Sequence, residues 1–193
     1  MLVGTRVTRM LVAALVVGVG PIPVLARAQD VPNREDAIEV RKQFMSDLDS
    51  LESKFVALAN AFPAEKYDWR PAPGVRSVGE VFMHVASEYY MYNEMAYGAQ
   101  PSPVIPLEKG ATAKFEKMST KPDVLKHLAD SHDYCKRTLG ALDPANLTGK
   151  RKLFGGDYTI IETSVSMTAD LHEHLGQLIA YARINGIRPP WSK

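Results

Sequence analysis

The chain has a single cysteine, Cys135, so no internal disulfide can hold it together. Its formal net charge is only +1, which removes the electrostatic footprint of a protein that grips nucleic acid. The one basic cluster, Lys150-Arg151-Lys152, stands beside a turn and reads as a solvated loop. No apolar run reaches the length of about twenty residues that a membrane span needs. Internal repeats and low-complexity segments are also lacking. Stability must therefore come from a packed core, with or without a bound metal.

What is present begins with an export signal. Arg6 and Arg9 precede the apolar run at 10–20, and Ala26-Arg27-Ala28 follows as a small-x-small cleavage site. Gly18, Gly20, Pro21 and Pro23 break the end of that run, which argues against an uncleaved anchor. The lack of a cysteine near the cleavage site argues against a lipid-anchored form. The expectation is a signal peptide over 1–28 and one domain over 29–193, beginning near Gln29. Such a protein is exported to the bacterial periplasm or secreted, and keeps no membrane span after cleavage. The remaining length is enough for a real core.

Four segments carry the periodicity of bundle helices. In 33–60, Phe44, Leu48, Leu51, Phe55, Leu58 and Phe62 alternate four and three apart, and Pro63 ends the run. A Pro- and Gly-rich loop follows at 66–76. Ser77-Val-Gly-Glu80 then spells a capping box that opens a second helix to about Tyr97. That helix carries two adjacent stripes, Phe82, Val85, Tyr89 and Tyr92 beside Val81, His84, Glu88, Met91 and Met95, so it is buried on most sides and His84 points inward. Residues 98–120 form a long connection with one short helical turn at most, a length common in functional loops. Pro122 opens a third helix, to about Leu142, whose inward stripe includes His132 and Cys135. The Gly155-Gly156 pair suggests a small hairpin before a fourth helix over 160–185, stopped by Gly186. The expected fold is all-α, a four-helix bundle whose long connection allows a crossover.

Polar residues interrupt the fourth stripe. Met167, Asp170, His174, Leu178 and Tyr181 share one face, with Asp170 and His174 four residues apart. Burying a carboxylate and an imidazole without partners costs several kcal/mol. Two compensations are open: a metal completed by a histidine from another helix, or a hydrogen-bonded polar cluster without metal. Glu88 lies one turn from His84 and offers a general base, an orienting carboxylate or a simple ion-pair partner. His132 and Cys135 suggest thiol chemistry, but a lone cysteine on an apolar stripe ordinarily behaves as a small hydrophobe. His172 is about 200° around the helix from His174 and cannot share its face, so it is expected to face solvent or to support a ligand from behind, and His127 falls outside its helix's inward stripe and is expected to be exposed.

The stretch Trp69-Arg-Pro-Ala-Pro-Gly-Val-Arg-Ser-Val-Gly-Glu-Val-Phe-Met-His84-Val-Ala resembles the opening motif of helix two in the DinB/YfiT-like superfamily. His174-Leu-Gly-Gln-Leu-Ile-Ala-Tyr-Ala-Arg-Ile-Asn-Gly186 is similar to its closing motif, in which a metal-binding His precedes a Gly-Gln pair. The resemblance implies a four-helix bundle with a crossed connection that holds a divalent metal, commonly zinc or nickel. Carried over by position, the ligands are His84, Asp170 and His174. Asp170 departs from the usual His and resembles the arrangement in the mycothiol-dependent maleylpyruvate isomerases of the same superfamily.

Two imidazoles and one carboxylate leave coordination positions open, which suits a catalytic metal, and the same set also serves iron. The expected function is therefore a metal-dependent hydrolase or transferase of a small molecule, with Glu88 as its catalytic base. The alternative is a non-catalytic metal-binding or dimerising module, and a homodimer fits either reading. Enzymes of the family mostly use cytoplasmic thiols, which an exported chain does not meet.

Overall fold

The stripe of alternating four- and three-residue steps winds α1 (Arg34–Ala61) onto the core. Phe44, Leu48, Leu51, Phe55, Leu58 and Phe62 are all buried, the most exposed of them Phe44 at 7%. Each such side chain removed from water contributes roughly 1.5–3 kcal/mol. The computed structural model describes residues 34–192 apart from 101, 103, 107 and 154, and the expected signal peptide lies outside them. After α1 come α2 (Val78–Met95), the short α3 (Ala111–Glu116) and α4 (Lys121–Ala141). Then follow the hairpin β1 (Lys150–Leu153) and β2 (Gly156–Thr159), and last α5 (Ile160–Ile184).

The four long helices pack as a ring in which α1 and α2 each lie against both α4 and α5. Consecutive helices α1 and α2 thus face each other across the diagonal, as do α4 and α5. The crossed connection expected from the long segment after α2 is what this order requires. No helix among the described residues is long and apolar enough to cross a membrane.

Local chemistry sets the helix ends where the sequence puts its signals. Ser77 and Glu80 form the expected capping box at the start of α2, and Thr159 with Glu162 forms a second at the start of α5. Pro122 sits in the first turn of α4. Gly186 takes φ +73° just past α5, and Gly155 takes φ +83° in the hairpin turn, where β1 and β2 pair antiparallel.

Contacts on two sides of α2 hold the 66–76 loop and α3 firmly against it, and both sides matter for the site. Loop carbonyls close the first turn of α2, with Val78 N–H donating to Trp69 O at 3.0 Å and Gly79 N–H to Tyr67 O at 2.9 Å. The buried Tyr67 hydroxyl donates to Ala59 O of α1 at 2.8 Å, so the start of the loop is tied to both α1 and α2. On the other side, a Cβ on Gly79 would sit 2.3 Å from the Ser119 carbonyl oxygen. Glycine there permits a close approach between α2 and the segment after α3. Glu80 adds an ionic tie, pairing with Arg70 of the loop at 3.2 Å and with Lys117 at the end of α3.

Candidate metal centre

The stripe on α2 and the stripe on α5 meet where both turn polar. His84 and His174 bring their rings edge to face, and Glu88, one turn after His84, enters between them. Its Oε1 lies 3.2 Å from His84 Nε2 and 3.4 Å from His174 Nε2. Ligand atoms of His84, Glu88 and His174 all lie within 4.8 Å of one another, the spread that a single ion can bridge. They form the one such group of three among the described residues.

Glu88 is buried, and its second oxygen, Oε2, touches no hydrogen-bond partner. Burial alone would push its carboxyl up, but the imidazoles of His174 and His84 outweigh that and hold it at about 2. The histidines respond in kind. Desolvation would lower His84, yet hydrogen bonds to Glu116 and Glu88 raise it to about 9. Against the same desolvation, Glu88 also raises His174. A carboxylate with one oxygen between two imidazole nitrogens and a free lone pair on the other is a donor set suited to a divalent ion.

Asp170 stands beside this group. Its Oδ1 is 3.6 Å from His174 Nε2, and its side chain is 40% exposed. Burial, and then the neighbouring Glu88 carboxylate, push its acid up to about 6. Of the residues expected from the sequence, the structure thus brings His84 and His174 together with Glu88 and places Asp170 at the solvent side. Tyr92, one turn beyond Glu88, is half-buried, and burial with the nearby Asp170 and Glu88 pushes its phenol up to about 12.

Each imidazole is also held from behind. His84 Nδ1 meets Glu116 Oε1 at 2.7 Å, and Glu116 takes both Nε and one terminal nitrogen of Arg76, at 3.0 and 3.2 Å. His174 Nδ1 meets Gln177 Oε1 at 3.3 Å, and Gln177 Nε2 donates to the Tyr181 hydroxyl at 3.0 Å. The Tyr181 hydroxyl in turn donates to the Arg76 carbonyl at 3.3 Å. Glu116 has no signal of spacing in the sequence, because it ends a short helix in a connection without periodicity. Only the length of that connection pointed to a functional role.

The remaining candidates lie elsewhere. His132 is buried between α1 and α4, 3.3 Å from Asp49 and edge-on to Tyr89. Cys135 is buried, and desolvation pushes its thiol up to about 12, which suits an inert core residue. His172 is exposed, as expected. His127 is not: it is half-buried with its ring against Phe115, because α3 covers that side of α4.

Solved structures share this architecture. A DinB-like protein from Bacillus subtilis superposes with TM-score 0.60 at 19% identity, covering 75% of this chain and 92% of its own. A DinB-like protein from Bacillus cereus gives TM-score 0.60 at 12% identity, covering 79% and 97%. No curated protein matches the chain. The profile of the DinB superfamily matches residues 47–178, a span that takes in His84, Glu88, Asp170 and His174 as well as most of the bundle, and the chain belongs to that superfamily.

Proposed function

We propose that this protein is a divalent-metal-dependent hydrolase or transferase of a small molecule, with His84, Glu88 and His174 as ligands and Asp170 as a further carboxylate beside them. The observation that carries the reading is the environment of Glu88. A buried carboxylate with one oxygen between two imidazoles and the other without a partner costs about 1–3 kcal/mol for the orphaned atom alone. A cation supplies what that oxygen lacks. Zinc or nickel fits two nitrogens and one oxygen, and iron fits the same set.

An ion held there supplies Lewis acidity to a carbonyl, phosphoryl or water oxygen. The chain's own groups do the rest. Glu88, buried between the two rings, balances the ion's charge, and this reading makes it a ligand in place of a general base. Asp170 takes the base's role, because it is the carboxylate open to solvent and its carboxyl, pushed up to about 6, is basic enough to accept and return a proton near neutral pH. The phenol of Tyr92 stays protonated and offers a hydrogen-bond donor to a bound substrate.

The same proposal includes export through the segment at 1–28, to the periplasm or the medium. Thiol cofactors of the cytoplasm are then out of reach, which favours hydrolysis over thiol transfer. Metal analysis of the purified protein, with zinc and nickel titrations of wild type and His84→Ala, tests the centre. Wild-type protein that takes up neither metal at micromolar concentration would defeat it. Screening of ester, amide and phosphoester substrates with the loaded protein then tests catalysis.

A further inference from the structure

We propose that Glu116 and Gln177 are positioning residues, anchored on the two ends of Arg76, that fix the rings of His84 and His174 so that each presents Nε2 to the metal position. This rests on the metal reading given above and assigns roles to residues outside the ligand set.

A neutral imidazole has one N–H and one lone pair, so a partner that accepts from Nδ1 leaves the lone pair on Nε2. Both rings have such a partner, the Glu116 carboxylate for His84 and the Gln177 amide oxygen for His174. In both, Nε2 is the nitrogen that faces Glu88. The orientation of the Gln177 amide follows from its other end, because its nitrogen must donate to the Tyr181 hydroxyl, which itself donates to the Arg76 carbonyl. Trp69 packs edge-on against Tyr181 at 5.3 Å and limits its movement.

The two arms therefore converge on one residue. Arg76 grips Glu116 through its guanidinium and Tyr181 through its backbone carbonyl, and it immediately precedes Ser77, the cap of α2. The helix that carries His84 and Glu88 thus starts just after the residue to which both orienting arms are tied. The arms differ in strength. An ionised acceptor makes the stronger hydrogen bond, so the Glu116 arm governs His84 more tightly than the Gln177 arm governs His174. Loss of such outer partners typically weakens metal binding 10–100-fold.

The experiment is zinc titration by calorimetry, joined to nitrogen NMR of the imidazoles in metal-free protein at a pH where both rings are neutral. Glu116→Ala should weaken zinc binding about 10–100-fold and turn His84 from the Nδ1–H tautomer into a mixture. Glu116→Gln should recover most of the affinity, since an amide oxygen still accepts from Nδ1. Gln177→Ala should change only the His174 signals and cost less. A merely structural role would lower the melting temperature of the metal-free protein and leave both tautomers as they are. Unchanged affinity and tautomer in Glu116→Ala would overturn the proposal while the metal reading stands. If wild-type protein binds no zinc, the metal reading fails, and the tautomer signals still decide whether Glu116 and Gln177 orient the rings. Should Glu116→Ala not fold, Arg76→Lys decides, because it keeps the charge and loses the two-point grip. Zinc affinity equal to wild type in that variant counts against the proposal.

Discussion

The rings of His84 and His174 stand edge to face, their centroids 4.7 Å apart and their planes at 89°. That geometry lets two helices far apart in the chain present their Nε2 atoms to one point without contact between ring faces. Glu88 supplies the negative charge that makes the approach of two raised imidazoles tolerable.

Zinc should therefore stabilise the fold. At a hundred times its dissociation constant, a ligand that binds only the native state adds about 2.7 kcal/mol. For a domain of this size that corresponds to a rise in melting temperature of roughly 5–10 °C. Differential scanning calorimetry with and without zinc measures it. His84→Ala and Glu88→Ala should each abolish the shift, and a shift retained in Glu88→Ala would remove Glu88 from the ligand set.

Metal binding should also depend on pH in a fixed direction. His84 is raised to about 9, so around neutrality the ion must displace its proton, and His174, raised as well, adds to the competition as pH falls. Affinity therefore climbs as pH rises toward 9 and falls in acid, with protons released on binding. Calorimetry in two buffers of different ionisation enthalpy counts those protons. Zinc binding that is flat between pH 6 and 9 would show that the imidazoles are not the ligands.

Much of this was legible in the sequence because the signals are local and repeat. The stripe from Phe44 to Phe62 fixed α1, the Ser77–Glu80 box fixed the start of α2, and the i, i+4 pair Asp170 and His174 marked the polar face of α5. The position of Glu88 relative to His174 was not legible, because spacing along one helix says nothing about depth against another. Only the packing of α2 on α5 shows Glu88 between the two rings while Asp170 stays at the edge. Glu116 was hidden for a related reason. Its contact with His84 depends on Gly79 letting the chain at Ser119 come close to α2, a long-range fit without periodicity.

Asp170 can be separated from Glu88 by substitution. If Asp170 ligates, Asp170→Ala should weaken zinc binding by roughly tenfold or more, and Asp170→His should restore it with an altered preference among zinc, nickel and iron. If it serves only as a proton acceptor, Asp170→Ala should keep zinc stoichiometry and affinity and lose turnover. Metal titration of both variants, with melting as a parallel readout, distinguishes the two roles. Full affinity in Asp170→Ala would end its claim as a ligand.

A second polar residue makes a prediction independent of the metal. Glu52 on α1 is 8% exposed, and neither of its carboxylate oxygens has a partner. Desolvation, then the charges of Asp133 on α4 and Asp49 on α1, raise it from 4.5 to about 7. The Tyr89 hydroxyl of α2 is likewise buried and unpartnered, and lies within the field of Glu52. Close by in the same polar cluster, His132 on α4 is kept toward its neutral form by burial. Because the folded-state value lies above the unfolded one, the native protein holds a proton that the unfolded chain has released. The penalty for ionising Glu52 is absent below about pH 4.5, grows between 4.5 and 7, and is complete above 7. By the usual conversion per unit it is on the order of 3 kcal/mol. Glu52→Gln keeps the shape and removes the ionisation, so the variant and wild type should match near pH 4 and diverge at pH 8, with the variant more stable. Urea unfolding of metal-free protein across that range reads the difference directly. Equal stabilities at pH 8 would mean that Glu52 finds a partner for its charge that its surroundings do not offer.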